Sequence, residues 1–133
     1  MMNYAHELGK FAEDTAAEYL LSIGWKILDR NIRSKDSYGE LDIAAFDTSE
    51  KPEELVIVEV RCRTIGEVQS PIDSIGSRKL RTLLRASQEF VDRIEWSGFW
   101  RIDAIAVTIT DKNSCEKWEL EHIKDITSGR NLL

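Results

Sequence analysis

Apolar residues recur every three to four positions from Leu8 onward. Leu8, Phe11, Ala12, Thr15, Ala16, Tyr19 and Ile23 fall on one stripe, which predicts a helix over residues 4–23. Asn3 is a candidate cap and Gly24 a candidate stop. At 100° per residue, Glu13 sits at the edge of the stripe, about 110° from its centre, while Asp14 points away from the core. The period then changes to two. Residues 25–33, anchored by Trp25, Ile27 and Leu28, predict a first strand, and residues 40–47 a second. Between them, Ser34 to Gly39 has turn chemistry. Thr48 to Glu54 is a polar hairpin loop, and residues 55–63 form the most apolar strand. Val56, Val58, Val60 and Cys62 face one side of it; Leu55, Ile57, Glu59, Arg61 and Arg63 face the other. That second face starts apolar and becomes charged, as where a strand runs from a core into a cleft.

A loop over residues 64–76, with Gly66, Pro71 and Gly76, leads to Ser77, a candidate cap. A helix over residues 78–94 follows, with Leu80, Leu83, Leu84, Phe90 and Val91 at helical spacing. Residues 100–110 predict a fourth strand and residues 117–123 a fifth at the sheet edge. The order α-β-β-β-α-β-β implies an α/β fold. Three strands with short turns make an antiparallel meander, and the second helix permits a crossover to a parallel neighbour. The expected architecture is a mixed five-stranded sheet flanked by helices. The 133 residues suit a single domain, with a core over residues 4–123 and a polar tail over 124–133.

Composition narrows the class. No apolar run approaches the length of a membrane span, and the first residues lack the basic start and apolar stretch of a signal peptide. A cytoplasmic protein with no membrane partner is expected, and Cys62 and Cys115 are expected as free thiols. The net charge of −6 argues against indiscriminate nucleic-acid binding. Ser77 to Arg85, however, holds four cations and no acid, which points to a local anion-binding face. The tryptophans read as core or interface residues, with Trp96 and Trp100 exposed, and His6 and His122 as surface or capping groups. No nucleophile–His–acid set is legible.

The candidate chemistry lies in two segments, Gly39-Glu40-Leu41-Asp42-Ile43-Ala44 and Val56-Ile57-Val58-Glu59-Val60-Arg61-Cys62-Arg63. Alternation puts Glu40, Asp42 and Ala44 on one face, and Glu59, Arg61 and Arg63 on one face of the next strand. Asp42 and Glu59 on paired strands can share one ion. Mg²⁺, or Mn²⁺, takes one or two carboxylates plus water and phosphate, and the Val60 backbone carbonyl is a natural further ligand. Glu13 could add a distal carboxylate from the first helix. Arg61 and Arg63 can hold phosphate bidentately, and Lys79, with Arg78 and Arg81 beside it, can contact neighbouring phosphates. The competing reading pairs Asp42 and Glu59 with Arg61 and Arg63 as cross-strand salt bridges, and makes the basic helix an ordinary solvated face.

Taken together, Gly9-x-x-Ala12-Glu13, Tyr19-Leu20, Gly24, Ile27-Leu28, Asn31-x-Arg33, Gly39-Glu40-Leu41-Asp42, Val58-Glu59-Val60-Arg61-x-Arg63, Lys79 and Asp103-x-Ile105-Ala106-Val107 resemble the YraN family of small bacterial proteins. The resemblance covers about residues 9–107. It implies a restriction-endonuclease-like fold, similar to archaeal Holliday-junction resolvases within the PD-(D/E)XK nuclease superfamily. By that resemblance Glu13 matches the acid of the first helix, Asp42 the metal-binding strand aspartate and Glu59 the acid of the E-x-K element. Arg61 falls on the lysine of that element, and Lys79 on a basic residue of the following helix. The implied activity is metal-dependent phosphodiester hydrolysis on DNA rather than RNA, branched or single-stranded, with Glu13, Asp42, Glu59 and Arg61 catalytic. A homodimer with two facing sites would suit a four-way junction. Because Arg61 stands where the lysine is usual, the alternative is a catalytically impaired nucleic-acid-binding module on the same fold.

Overall fold

The computed structural model describes residues 4–35, 39–66, 75–111 and 113–127. The expected Asn3 cap, the middle of the first turn, Pro71 and the last six residues lie outside the described residues. The elements follow the expected order: α1 (Tyr4–Ser22), β1 (Lys26–Arg33), β2 (Glu40–Asp47), β3 (Glu54–Thr64), α2 (Ser77–Arg93), β4 (Trp100–Asp111) and β5 (Ser114–Ile123). The strands lie side by side in sequence order. β1, β2 and β3 form an antiparallel meander, β3 and β4 pair in parallel across the α2 crossover, and β5 returns antiparallel at the edge.

α1 buries Ala12, Ala16, Ala17 and Leu20 against one face of the sheet, where Ile43, Val56, Val58, Ile105, Val107 and Ile109 complete a core. α2 covers the other face with Leu80, Leu83, Ala86 and Phe90 against Ala44, Ile57, Ile102 and Ala104. The central strands are therefore apolar on both faces, as a sheet covered on two sides requires. Leu20 and Ala17 extend the expected α1 stripe, whereas Ile23 is exposed. The helix has already ended there. The Gly24 N–H bonds to the Leu21 carbonyl and the Trp25 N–H to the Leu20 carbonyl, with Gly24 at φ 89°. This paired termination needs a left-handed residue, which glycine adopts without strain. It delivers buried Trp25 into the α1 core, just ahead of β1.

Three local expectations change. Ser77 is the first residue of α2 and does not cap it; Gly76 occupies the cap position, with no side-chain cap bond to the first turn. Trp96 and Trp100 are half-buried, Trp96 against Phe46 at 5.3 Å between ring centroids, and among the described residues the large aromatics that are exposed are Phe99 and Trp118. After β5 the packing continues: Ile126 is buried in the α2-side core and its N–H bonds to the Ile102 carbonyl at 2.8 Å. No helix among the described residues is long and apolar enough to cross a membrane.

Candidate functional site

The ladder between β2 and β3 runs from Asp47 opposite Glu54 to Ile43 opposite Val58. One step further the same register brings Asp42 level with Glu59, and there the strands part. The Val60 N–H, which has left the ladder, donates to Asp42 Oδ2 at 2.8 Å. A strand residue's N–H and C=O lie on the same strand edge, so the Val60 carbonyl also faces the gap. Glu13 approaches this gap from α1. Glu13, Asp42 and Val60 line one cavity of about 540 Å³, together with Glu40, Arg30 and Asn31.

Asp42 reaches this cavity because the alternation of β2 breaks there. Leu41 is buried in the α2-side core but Ile43 in the α1-side core, although strict alternation would put both on one face. Asp42 therefore opens beside Glu13, while Ala44 is packed in the α2-side core. The expected shared face of Glu40, Asp42 and Ala44 is corrected accordingly.

Glu59 is almost fully buried. Its Oε1 lies 3.7 Å from Arg61 Nη1 and 3.7 Å from Lys79 Nζ. The structure thus joins Glu59 to both cations named from the sequence, Arg61 two residues along its own strand and Lys79 from the first turn of α2. Burial, then repulsion from Glu59, pushes the Asp42 carboxyl up to about 7; the Val60 N–H opposes the rise, Glu13 adds to it, and Lys79 opposes it. Burial also raises Glu59, against the pull of Lys79 and Arg61. Loss of water is thus the main cost of ionising either carboxylate, and the charge of Glu59 adds to that cost at Asp42.

The donors fit a hard divalent cation. All are oxygens, and the two carboxylates nearest the Val60 edge are bonded through one oxygen each, Asp42 through Oδ2 and Glu13 through Oε1. No three His, Cys, Asp or Glu side chains among the described residues gather into a ready-made cage; Mg²⁺ sites with one or two carboxylates and several waters do not need one. Arg78, Lys79 and Arg81 are exposed on α2. Arg63 is half-buried, level with Thr108, and lines a second cavity of about 440 Å³ with Ala106, Glu119 and Glu121.

One polar chain was not anticipated. Tyr19 Oη lies 3.0 Å from His122 Nδ1, and His122 Nε2 lies 2.9 Å from Asp103 Oδ2. His122 is thus buried between α1, β4 and β5, not a surface group. Arg101 binds Asp103 at 2.9 Å, Asp47 at 2.8 Å and Glu54 at 2.7 Å. Burial pushes the Asp103 carboxyl up, but bonds from His122, Arg101 and the Asp125 N–H outweigh it and hold it below the usual range. The sequence did carry a signal. Asp103 interrupts an alternating face that otherwise reads Ile105, Val107, Ile109, and a buried acid needs partners.

The chain matches the model of a family described as "Uncharacterised protein family UPF0102" over residues 12–107. A UPF0102 protein of Mycobacterium tuberculosis is 38% identical over 121 residues, covering 90% of this chain and 91% of its own length. UPF0102 proteins of Chlorobium chlorochromatii and Marinobacter nauticus are each 34% identical, over 125 and 122 residues, with at least 91% of both chains covered. Matched by the family model over residues 12–107 and 34–38% identical to these relatives along most of its length, the chain belongs to the UPF0102 (YraN) family.

Proposed function

We propose that this protein is a Mg²⁺-dependent endonuclease acting on DNA, branched or single-stranded. The observation that carries the reading is the meeting of Asp42, Glu13 and the edge of Val60 in one cavity, with Glu59 level with Asp42 and bearing Arg61 and Lys79. Asp42, Glu59 and the Val60 carbonyl would hold the ion, with Glu13 beyond them. When bound, Mg²⁺ supplies Lewis acidity toward a phosphoryl oxygen and makes water a better nucleophile near neutral pH. Arg61 and Lys79 neutralise charge building on the phosphoryl group. Arg63, Arg78 and Arg81 hold flanking phosphates. Glu59 is buried and Asp42 half-buried, so these charges act in a lower dielectric than bulk water, which strengthens each of these interactions.

Arg61 favours a second reading. It lies on Glu59 where a lysine would be usual, and a guanidinium stays charged and cannot act as a general base near neutral pH. A binding module without turnover would look the same. One experiment separates the two: incubate wild type, Asp42→Asn and Arg61→Lys with junction, flap, duplex and single-stranded DNA in Mg²⁺ or Mn²⁺. The nuclease reading expects metal-dependent cleavage by wild type, reduced at least about a hundredfold in Asp42→Asn. Binding without cleavage by wild type, with cleavage appearing in Arg61→Lys, would establish the module. Equal cleavage by wild type and Asp42→Asn would remove Asp42 from the site.

A further inference from the structure

Glu13 does not reach the cavity unaided. Its Oε1 accepts from Asn31 Nδ2 at 2.9 Å and from Arg30 Nε at 3.1 Å, and Arg30 Nη2 also lies 3.1 Å away. The same Nη2 bonds to Asp14 Oδ1 at 2.5 Å, so Arg30 forks across two adjacent acids of α1. Three donor contacts thus converge on one oxygen of Glu13.

The backbone beneath those donors is unusual. Asn31 has φ 53°, inside the left-handed region, where few residues other than glycine and asparagine sit without strain. Its consequence is visible along β1. Arg30 pairs with Ile43 and Ile32 with Leu41. Arg30 reaches Glu13 on the α1 side, yet Ile32 is buried in the α2-side core. Alternation would put Arg30 and Ile32 on the same face, so the strand turns over at Asn31. β2 turns over at the same level, between Leu41 and Ile43, and the residue there is Asp42. The left-handed residue of β1 and the cavity aspartate of β2 thus mark one coordinated twist of the two strands.

We propose that Asn31, with Arg30, is a positioning residue of this site. Its side-chain amide fixes the Glu13 carboxylate, and its left-handed backbone permits the twist that turns Asp42 into the same cavity. The inference rests on the metal-dependent reading above and gives Asn31 a role in divalent-cation affinity, acting through Glu13. Partners that orient an ion's carboxylates typically change affinity by about 10–100-fold when removed.

Glycine separates the two contributions of Asn31, because it keeps the left-handed backbone and deletes the amide. The experiment measures Mn²⁺ affinity by titration calorimetry and electron paramagnetic resonance, and the melting temperature without metal, for wild type, Asn31→Gly, Asn31→Ala, Glu13→Gln and Glu13→Gln/Asn31→Gly. Asn31→Gly is expected to melt within about 3 °C of wild type and to bind Mn²⁺ about tenfold more weakly. Asn31→Ala should lose affinity and also melt lower, since alanine is strained at this φ. The double variant should bind no more weakly than Glu13→Gln alone, because both changes remove one interaction. Wild-type affinity in Asn31→Gly would overturn the positioning role while leaving the metal reading intact. A further tenfold loss in the double variant would overturn the route through Glu13. No Mn²⁺ uptake by wild type would overturn the metal reading, and this inference with it.

Discussion

At the scale of single residues, the balance of charge around Asp42 makes a prediction that needs no substrate. Burial and the neighbouring carboxylates Glu59 and Glu13 lift its carboxyl from 3.8 to about 7 in the folded protein. The folded state therefore holds this proton more tightly than the unfolded chain does. Between about pH 4 and pH 7 folding takes up a proton, and stability falls as pH rises through that window. Glu59 is shifted in the same direction. Asp47 and Asp103 are shifted the opposite way, and their contribution changes only below the ordinary carboxylate range. The metal-free protein should therefore melt several degrees lower at pH 8 than at pH 5. Asp42→Asn should flatten that slope, and millimolar Mg²⁺ should restore wild-type stability at pH 8 and not that of the variant. Parallel melting curves for wild type and variant across this range would show that Asp42 carries no such strain.

At the scale of elements, strand order and pairing were readable because the hydrophobic period changes cleanly between helix and strand. The α1 stripe, the two-sided burial of β3 and the parallel β3–β4 pairing all follow from that pattern. Glu59, Arg61 and Lys79 were found from side-chain type and spacing, and the fold brings them together. The face of Asp42 was missed because period-two counting assumes an unbroken strand, and Asn31 and Asp42 mark where it breaks. The buried Tyr19–His122–Asp103–Arg101 chain was missed because its members come from α1, β4 and β5, and only the fold makes them neighbours. That chain has a testable weight. Arg101 is the cation facing fully buried Asp47 and Asp103 and the partly buried Glu54. Arg101→Met would leave two buried carboxylates without it, a loss of about 3–5 kcal/mol, read as a lower urea midpoint. Arg101→Lys should fall between, because an ammonium cannot fork onto several carboxylates at once. A midpoint for Arg101→Met matching wild type would mean that water replaces the guanidinium, and that β2, β3 and β4 are registered by their apolar faces alone.

At the scale of the whole molecule, the proposed function requires an acidic chain to bind an anion, which needs a charge distribution that is uneven. The net charge is −6, yet a group of exposed cations lies on α2 beside the cleft. Arg61 and Lys79 meet on Glu59, and Arg78, Arg81 and Arg85 are exposed on α2 nearby. The opposite wall, near α1, carries Glu13, Asp14 and Glu40 together with Lys10 and Arg30, the latter paired with the first two acids, and exposed Glu119 and Glu121 lie on the edge strand β5. The α1 wall is therefore mixed in charge and the β5 border acidic, so on the proposed function the α2 side is the expected approach of a phosphate backbone. Only a few phosphates should then be neutralised, and affinity should fall with salt along a shallow line, with about 0.9 lost from the logarithmic slope for each contact removed. Arg78→Ala and Arg81→Ala should each weaken DNA binding across all sequences and each reduce the slope by about one. Lys26→Ala, at a hairpin ion pair with Glu53, should leave both affinity and slope unchanged. Fluorescence anisotropy of a labelled four-way junction, whose arms are duplex, from about 50 to 300 mM salt decides the matter. If Lys26→Ala changes the slope as much as Arg81→Ala does, the contact surface is diffuse, and the DNA does not enter along α2.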